Sequence, residues 1–369
     1  MPDLVMDVEF GTAYGFVGLE ELGRYRLDQI ENGVNVVRDA VQRTLAFNNA
    51  KNEAFRGTLS VDVEVAKELY EMPSGGTLQD IDEHDNPLPT VQQAAQDVAF
   101  PIRGGGDATG NDRVSRALMT VADANRAVLQ AQMRDKRWHI NYMMAAIFRS
   151  TEYPFLDRGR RLLKGAGRLV IKPLANGDAD QYMTNGGAGV GPDNHYLAHE
   201  GGITAAANPI PRIYTELVEH QENPGQVDVY VPQGLVASIE GLPNFREPRD
   251  PNVQYGSGES TVAEGNKGIG DRYVGYVDGC HIIQMNALPA GYIFAQARGA
   301  RPLGYRQFPA AALRGLFQET HSPDGNHLET RFLRYGGYAC RNRVAALCMQ
   351  VGVAAGAAYA APVLPMRLS

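Results

Sequence analysis

The sequence predicts an α+β fold built around one very long helix, and three observations lead to that prediction. No glycine or proline occurs between Asn111 and Tyr153, although the chain has 41 glycines and 21 prolines. Such a gap is typical of an uninterrupted helix. Short segments rich in β-branched and aromatic residues follow it, without a regular alternation with helices. The 369 residues, 44% of them hydrophobic, are also enough to bury a sizeable core.

Charge and cysteine content exclude several classes of protein. The formal net charge of −7 and the pI near 5.7 disfavour a strongly basic nucleic-acid-binding domain. The three cysteines lack the C-x-x-C spacing of a zinc or redox site, and they predict folding in a reducing, intracellular compartment: Cys280, Cys340 and Cys348.

Neither end of the sequence predicts a membrane segment. The first residues carry Asp3, Asp7 and Glu9 in place of the basic and apolar parts of a signal peptide. The apolar run Ala345–Leu364 has spanning length, but its many alanines insert weakly into lipid. We therefore predict a buried strand there, followed by a small-residue tail that packs against the protein.

An amphipathic helix and an extended excursion precede the long helix. Apolar residues recur at helical spacing from near Asp28 to Leu45. Leu59–Val65 alternates apolar and acidic residues like a half-exposed strand, and Asp97–Arg103 predicts an edge strand. Residues 55–110 thus read as a two-stranded excursion. Because an isolated hairpin is marginally stable, we expect something outside the subunit to hold it.

The long helix is predicted from about Val114 to Phe148. Asn111 or Asp112 can cap it, and it would be about 50 Å long at 1.5 Å per residue. After it, we predict a strand over 167–172, a glycine- and asparagine-rich loop over 176–192 and a short helix over 213–220. Further strands are predicted over 227–232, 273–277, 281–285, 292–296, 329–334 and 344–351.

Charge is segregated along the chain. Residues 1–33 carry a net charge of −5 and residues 55–110 a net charge of −7, whereas residues 134–164 and 298–343 each carry +5. Arginine dominates the basic residues, with 29 arginines against 6 lysines. Complementary surfaces of this kind steer partners together. Pairing between copies of the chain and pairing within one subunit both remain open.

Three sequence patterns imitate chemical sites, and we discount each one. Gly104–Gly110 sits between a strand and a helix like a phosphate loop, but Asn111 and Asp112 stand where lysine and serine or threonine are needed. Gly186–Gly191 lacks a following helix. His195, His199 and Glu200 could face a metal on a helix, but two glycines follow at once. We predict no catalytic, cofactor-binding or metal-binding residues.

Two stretches carry a resemblance to a known family. The first runs from Asp97 through Asp123-Ala124-Asn125-Arg126-Ala127 to Phe148, as a return strand that leads into a long helix. The second comprises Gly291–Gly304 and Arg334–Val344, which look like late strands of a coat protein. Together with the order of segments, they resemble the major capsid protein of tailed double-stranded-DNA bacteriophages, a fold shared with encapsulins.

The resemblance implies a domain plan. Residues 1–54 would form an N-terminal arm with an amphipathic helix, and 55–110 an extended loop, the E-loop. A peripheral domain would comprise 111–185 and 331–369, with a spine helix at about 114–148. Residues 186–330 would form an axial domain that points to the five- and six-fold centres.

The resemblance also implies a mechanical function without catalysis or cofactors. Pentamers and hexamers of the chain would form an icosahedral shell around the phage DNA, in a virion assembled in the host cytoplasm. Expected partners are a separate scaffolding protein, a portal, a possible decoration protein and DNA bound without sequence specificity, but no membrane. Some members of the family link neighbouring subunits by a Lys–Asn isopeptide bond, but residues 55–110 contain only Lys67, near the base of the loop, so we expect no covalent crosslink between subunits. The alternatives are an encapsulin-like protein compartment and a soluble metal-dependent enzyme that uses His195, His199 and Glu200.

Overall fold

The fold is mixed α and β, as the sequence predicts. A computed structural model describes residues 10–12, 15–17, 33–72, 94–111, 120–155, 169–176, 181–183, 190–192, 194–220, 225–247, 272–321 and 328–364. The chain divides into two compact units. The first comprises residues 1–54, 102–140 and 307–336, and the second comprises 55–101, 141–306 and 337–369.

Four α-helices lie in the described residues: α1 (Gly33–Arg56), α2 (Val121–Phe148), α3 (Ile210–Val218) and α4 (Gln233–Glu240). The strands are β1 (Phe10–Thr12), β2 (Gly15–Val17), β3 (Ser60–Val63), β4 (Lys67–Met72), β5 (Ala94–Ala99), β6 (Arg103–Asn111), β7 (Tyr153–Phe155), β8 (Leu169–Ile171), β9 (Gln181–Met183), β10 (Val190–Pro192), β11 (Tyr196–Glu200), β12 (Val227–Val231), β13 (Arg272–Val277), β14 (Cys280–Gln284), β15 (Tyr292–Ala297), β16 (Leu303–Gln307), β17 (Leu316–His321), β18 (Leu328–Cys340) and β19 (Ala346–Val353).

The first unit packs α1 and α2 on one face of an antiparallel sheet. In that sheet β18 lies between β17 and β6, with Phe332 opposite both Gln318 and Asp107. Six side chains from both helices and the sheet form its buried core: Val41, Leu45, Val128, Ala131, Leu316 and Phe332. The glycines of β6 let the helix approach, because a Cβ at Gly105 would lie 2.9 Å from the Trp138 indole nitrogen.

A buried polar network joins the helices of the first unit to its sheet. Arg334 on β18 donates to Asp135 on α2 and to Asn49 on α1, at 2.8 and 2.9 Å from Nη2. The Asn52 amide donates to Asp135 at 2.9 Å, and Asn49 exchanges two hydrogen bonds with the backbone of Leu316. Burial raises the pKa of Asp135, although Arg334 and Asn52 oppose that shift.

The long helix is confirmed, but its predicted cap is wrong. Thr120 precedes α2 and accepts a hydrogen bond from the backbone N–H of Asp123, whose carboxylate accepts in turn from Thr120. This reciprocal pair is a capping box with aspartate in the third position. Asn111 is instead the last residue of β6, and Asp112 lies outside the described residues. The described helix has 28 residues, about 42 Å in length.

The second unit contains a six-stranded mixed sheet in the order β11-β19-β15-β12-β14-β13. The β11–β19 and β12–β14 pairs are parallel, and the other neighbours are antiparallel. One face of the sheet packs with α3 and α4 around a large apolar core that includes Val229, Ile282 and Ile293. Along β12 these core residues alternate with Asp228 and Tyr230, so polar groups lie on the opposite face.

Most predicted strands are confirmed, and two predicted glycine loops are wrong. Gly104–Gly110 lies within β6, because its backbone pairs with β18 and its small residues make room for α2. The predicted loop at 176–192 contains an antiparallel ribbon of β9 and β10. The predictions also missed β11, β16, β17 and α4, and β18 runs farther than the predicted 329–334.

The C-terminal strand is buried as predicted, while the tail after it is mostly exposed. β19 lies within the six-stranded sheet, and residues 354–358 after it are exposed. Tyr359 anchors the tail, because its hydroxyl donates to the carbonyl of Phe148, the last residue of α2, at 2.7 Å. Among the described helices, none combines the length and the hydropathy that a membrane-spanning helix needs.

Replacing Asp135 by asparagine tests the buried network. The variant leaves the Arg334 charge buried without a counter-charge, and it should lower the free energy of unfolding by about 3 to 5 kcal/mol. The double variant Asp135→Leu with Arg334→Met should lose less than the sum of its single variants, because apolar side chains replace both charges. Urea denaturation of the unassembled subunit measures each value. Additive losses would contradict the coupling.

Candidate assembly interface

The excursion predicted from the sequence contains a two-stranded hairpin. β4 and β5 are antiparallel, with Lys67 opposite Ala99 and Met72 opposite Ala94. In the described residues these two strands form ladder hydrogen bonds with each other alone. The flanking strands β3 and β6 instead pair with β16 and β18, so the two-stranded ribbon is shorter than residues 55–110, and its β5 end packs against Tyr153 and Ile171.

Backbone and apolar contacts fix the base of the hairpin. The N–H of Phe100 donates to the carbonyl of Ala66 at 3.0 Å, and the buried guanidinium of Arg306 donates to the Phe100 carbonyl at the same distance. The Phe100 ring lies against Gly304, where a Cβ would come within 2.2 Å of the ring. Glycine is therefore required at 304 for this ring position.

A further arginine holds the same base, and another fixes the neighbouring strand β3. Arg341 donates to both carboxylate oxygens of Glu68 on β4, at 3.1 and 3.0 Å. Such a two-point pair fixes direction better than a single ionic contact. Arg56 pairs with Asp62 and stacks over the Tyr305 ring, 4.3 Å from its centroid. These contacts fix the base of the hairpin within the second unit.

Contacts of this kind bear on whether the basic stretch 298–343 pairs within one subunit or between copies of the chain. Within the basic stretch 298–343, most arginines are engaged inside the subunit: Arg298 with Gln226, Arg306 with Phe100, Arg314 with Phe308, Arg334 with Asp135, Arg341 with Glu68 and Arg343 with Leu174 and Asn176. Two of these arginines, Arg334 and Arg341, pair with carboxylates of the same subunit, so charge pairing within one subunit is favoured for these two. Much of the acidic sequence in 1–33 and 73–93 lies outside the described residues.

The predicted histidine pattern does not form a metal centre. His195 directly precedes β11, while His199 and Glu200 lie within it. The His195 and His220 Nε2 atoms are 3.1 Å apart, whereas His199 contacts the Ala207 carbonyl and Glu200 accepts from the Gly356 amide. Within the described residues, no group of three or more histidine, cysteine, aspartate or glutamate side chains could hold a metal ion.

Other features that catalysis could use are also unfavourable. The three cysteines are buried, and burial raises the pKa of Cys280 to about 12. A cavity of about 450 Å³ lies beside the start of α4. None of its lining side chains is titratable: Pro232, Gln233, Gly234, Leu235, Asn286, Leu288, Ala290 and Gly291.

The sequence did not predict a polar cluster that lies on the face of the six-stranded sheet opposite α3 and α4. Arg298 donates to His281 Nε2 at 3.2 Å, which requires the imidazole proton on Nδ1, beside the Tyr273 hydroxyl. Burial lowers the pKa of His281 to about 4 and raises that of Asp228 to about 6. Strand pairing brings these residues together, and alternation along β12 was the signal that could have indicated them.

Asp228→Asn tests the cost of this buried carboxylate. The pKa of Asp228 is higher in the folded chain than its ordinary value of 3.8, so the wild type should lose stability as the pH rises from about 4 to about 6. The free energy of unfolding of the variant should exceed that of the wild type by about 1 to 2 kcal/mol at pH 7.5, and the two should be equal at pH 4. Thermal unfolding across this range measures the effect, and parallel pH profiles would refute it.

Arg341→Ala tests the hairpin base. Losing the two-point pair with Glu68 should make β4 and β5 open more often, with limited proteolysis there about fivefold faster. Arg341→Lys should give an intermediate rate, because lysine keeps the charge but not the planar fork. Exposed Arg301→Ala serves as the control. Equal cleavage rates in all variants would show that this pair does not hold the hairpin.

Comparison with known proteins bears on the fold. No protein-family model matches the sequence, and no curated protein is significantly similar to it. A solved structure from Mycobacterium phage Patience is 18% identical, with a TM-score of 0.60 over 93% of this chain and 94% of that one. The capsid of an empty GTA particle is 14% identical, with a TM-score of 0.48 over 81% of this chain and 90% of that one. The chain has the fold of the tailed-phage major capsid proteins, as the sequence resemblance implied.

Proposed function

We propose that this chain is the structural protein of a phage shell, assembling as pentamers and hexamers into an icosahedral capsid around double-stranded DNA. The observation that carries this proposal is the shared fold with a phage structure over 93% of the chain. Within the described residues, no group of histidine, cysteine, aspartate and glutamate side chains could hold a metal ion, and the three cysteines are buried.

The hairpin supports assembly through neighbouring copies. β4 and β5 form ladder hydrogen bonds with each other alone in the described residues, and a ribbon of this kind is marginally stable in water. Two arginines nevertheless fix its base, Arg306 through the Phe100 carbonyl and Arg341 through Glu68. We propose that it lies over an adjacent subunit as the E-loop of the shell.

The remaining parts of the proposal follow the family plan. Residues 1–54 would form the arm, 55–110 the E-loop, 111–185 with 331–369 the peripheral domain, and 186–330 the axial domain. Assembly would take place in the host cytoplasm, with a separate scaffolding protein, a portal and a possible decoration protein. Contacts with packaged DNA would be non-specific and would weaken with salt.

An encapsulin-like compartment is the second candidate, because it would use the same fold to enclose protein cargo. The content of the assembled particle distinguishes the two proposals, because a phage shell would hold nucleic acid and a compartment would hold a protein. The enzyme alternative loses support because His195, His199 and Glu200 contact three different groups.

Electron microscopy and sedimentation of the purified full-length chain test the proposal. We expect ring-shaped oligomers or closed shells, and particles from infected cells should contain DNA. Denaturing gels of these particles should show single chains, because Lys67 is the one lysine in residues 55–110. A stable monomer at every protein concentration would contradict a shell, and ladders of linked chains would contradict the absence of crosslinks.

A further inference from the structure

The first unit exposes a basic and apolar surface on its two helices. We define the basic helical face by six exposed residues: Arg43, Phe47 and Lys51 on α1, and Gln130, Met133 and Arg137 on α2. On each helix these residues are three or four positions apart, so they form one stripe along each helix. The core residues Val41, Leu45, Val128 and Ala131 occupy other sides of the same helices.

Two large apolar side chains on this face are unusually exposed. Phe47 is 67% exposed and Met133 is 59% exposed, although both lie in the middle of long helices. Each is flanked at helical spacing by cationic residues, Phe47 by Arg43 and Lys51, and Met133 by Arg137. An apolar anchor within a charged rim is the usual composition of a protein-binding surface.

The cations of this face are not neutralised inside the described subunit. Nearby Arg126 and Arg134 pair with Asp123 and Asp107. Arg43, Lys51 and Arg137, in contrast, form no ion pair with any described residue. Among the residues that the structure describes, the face thus combines cations that form no ion pair with exposed apolar area. Nucleic acid would match the charge but not Phe47 and Met133, so a protein segment fits it better.

We propose that the basic helical face binds the acidic N-terminal segment, residues 1–9, of a second copy of this chain. Residues 1–23 contain five carboxylates and no lysine or arginine. Within the segment, Asp3, Asp7 and Glu9 are interleaved with four apolar residues: Leu4, Val5, Met6 and Val8. Both the charge and the apolar content therefore complement the face.

The other acidic segment of the chain is a poorer match. Over the same length of nine residues, 78–86 carry four carboxylates but two large apolar residues, Leu78 and Ile81, against the four interleaved ones of residues 1–9. A segment with half the apolar content covers the two exposed anchors less well. The proposal rests on assembly of the chain into a shell, and it adds the surface that receives the arm.

Charge reversal in two places tests the proposal. One variant reverses the face, Arg43→Glu with Lys51→Glu and Arg137→Glu, and the other reverses the arm, Asp3→Lys with Asp7→Lys and Glu9→Lys. Each should reduce the assembled fraction in sedimentation about tenfold at low salt, and combining all six changes in one chain should restore it. A matched control reverses three exposed arginines of the second unit: Arg212, Arg246 and Arg301.

Mixing the two reversed proteins distinguishes exchange between copies from folding back within one chain. If the arm binds another copy, each protein supplies what its partner lacks, and the mixture should assemble. If the arm binds its own face, the mixture should not assemble, whereas the variant with all six charge reversals should. That result would overturn the proposal. Assembly of both reversed variants at wild-type levels would overturn it as well.

Disulfide crosslinking tests the same contact, and it does not require the chain to form shells. In a chain carrying Met6→Cys and Phe47→Cys, mild oxidation should give linked dimers and longer species on non-reducing gels. The three native cysteines are buried and should contribute little background. Monomers linked internally, or no linkage, would refute the docking. Failure of the wild type to form oligomers would refute the proposed function instead, so the two failures are distinguishable.

Discussion

The buried ion pair between Asp135 and Arg334 is the constraint on which the first unit depends. It lies where α1, α2, β17 and β18 meet, and Asn49 and Asn52 complete it. A buried charge pair contributes little net stability, since desolvation opposes its attraction. Its directional hydrogen bonds nevertheless fix the register of α1 and α2 against the sheet. This register determines which residues the two helices expose to other molecules.

The sequence predicted the elements whose signals are local. The gap without glycine or proline identified α2, and the alternation around Leu59–Val65 identified β3. It failed where a distant strand decides the structure. Gly104–Gly110 has a loop composition, yet β18 pairs with it and Trp138 needs its flat surface. Thr120 was overlooked as the cap because residues before it continue the helical pattern without an interruption.

The candidate interface was predictable to a similar degree. Charge counts indicated that acidic and basic stretches pair, and the structure divides the basic residues into two groups. Most arginines of 298–343 act inside the subunit, because the fold brings them beside a carbonyl or a carboxylate. Arg43, Lys51 and Arg137 remain outward-facing on helices. Counting charges along a sequence cannot separate these groups, since only the fold decides which are enclosed.

The contact between Trp138 and Gly105 has a practical consequence. Trp138 is the one tryptophan of the sequence, and it packs on β6 within the first unit. Indole emission therefore reports on a single helix–strand contact, whereas the second unit contributes tyrosines without tryptophan. Fluorescence excited selectively at the indole can thus follow loosening of α2 from β6 in real time, without any added label.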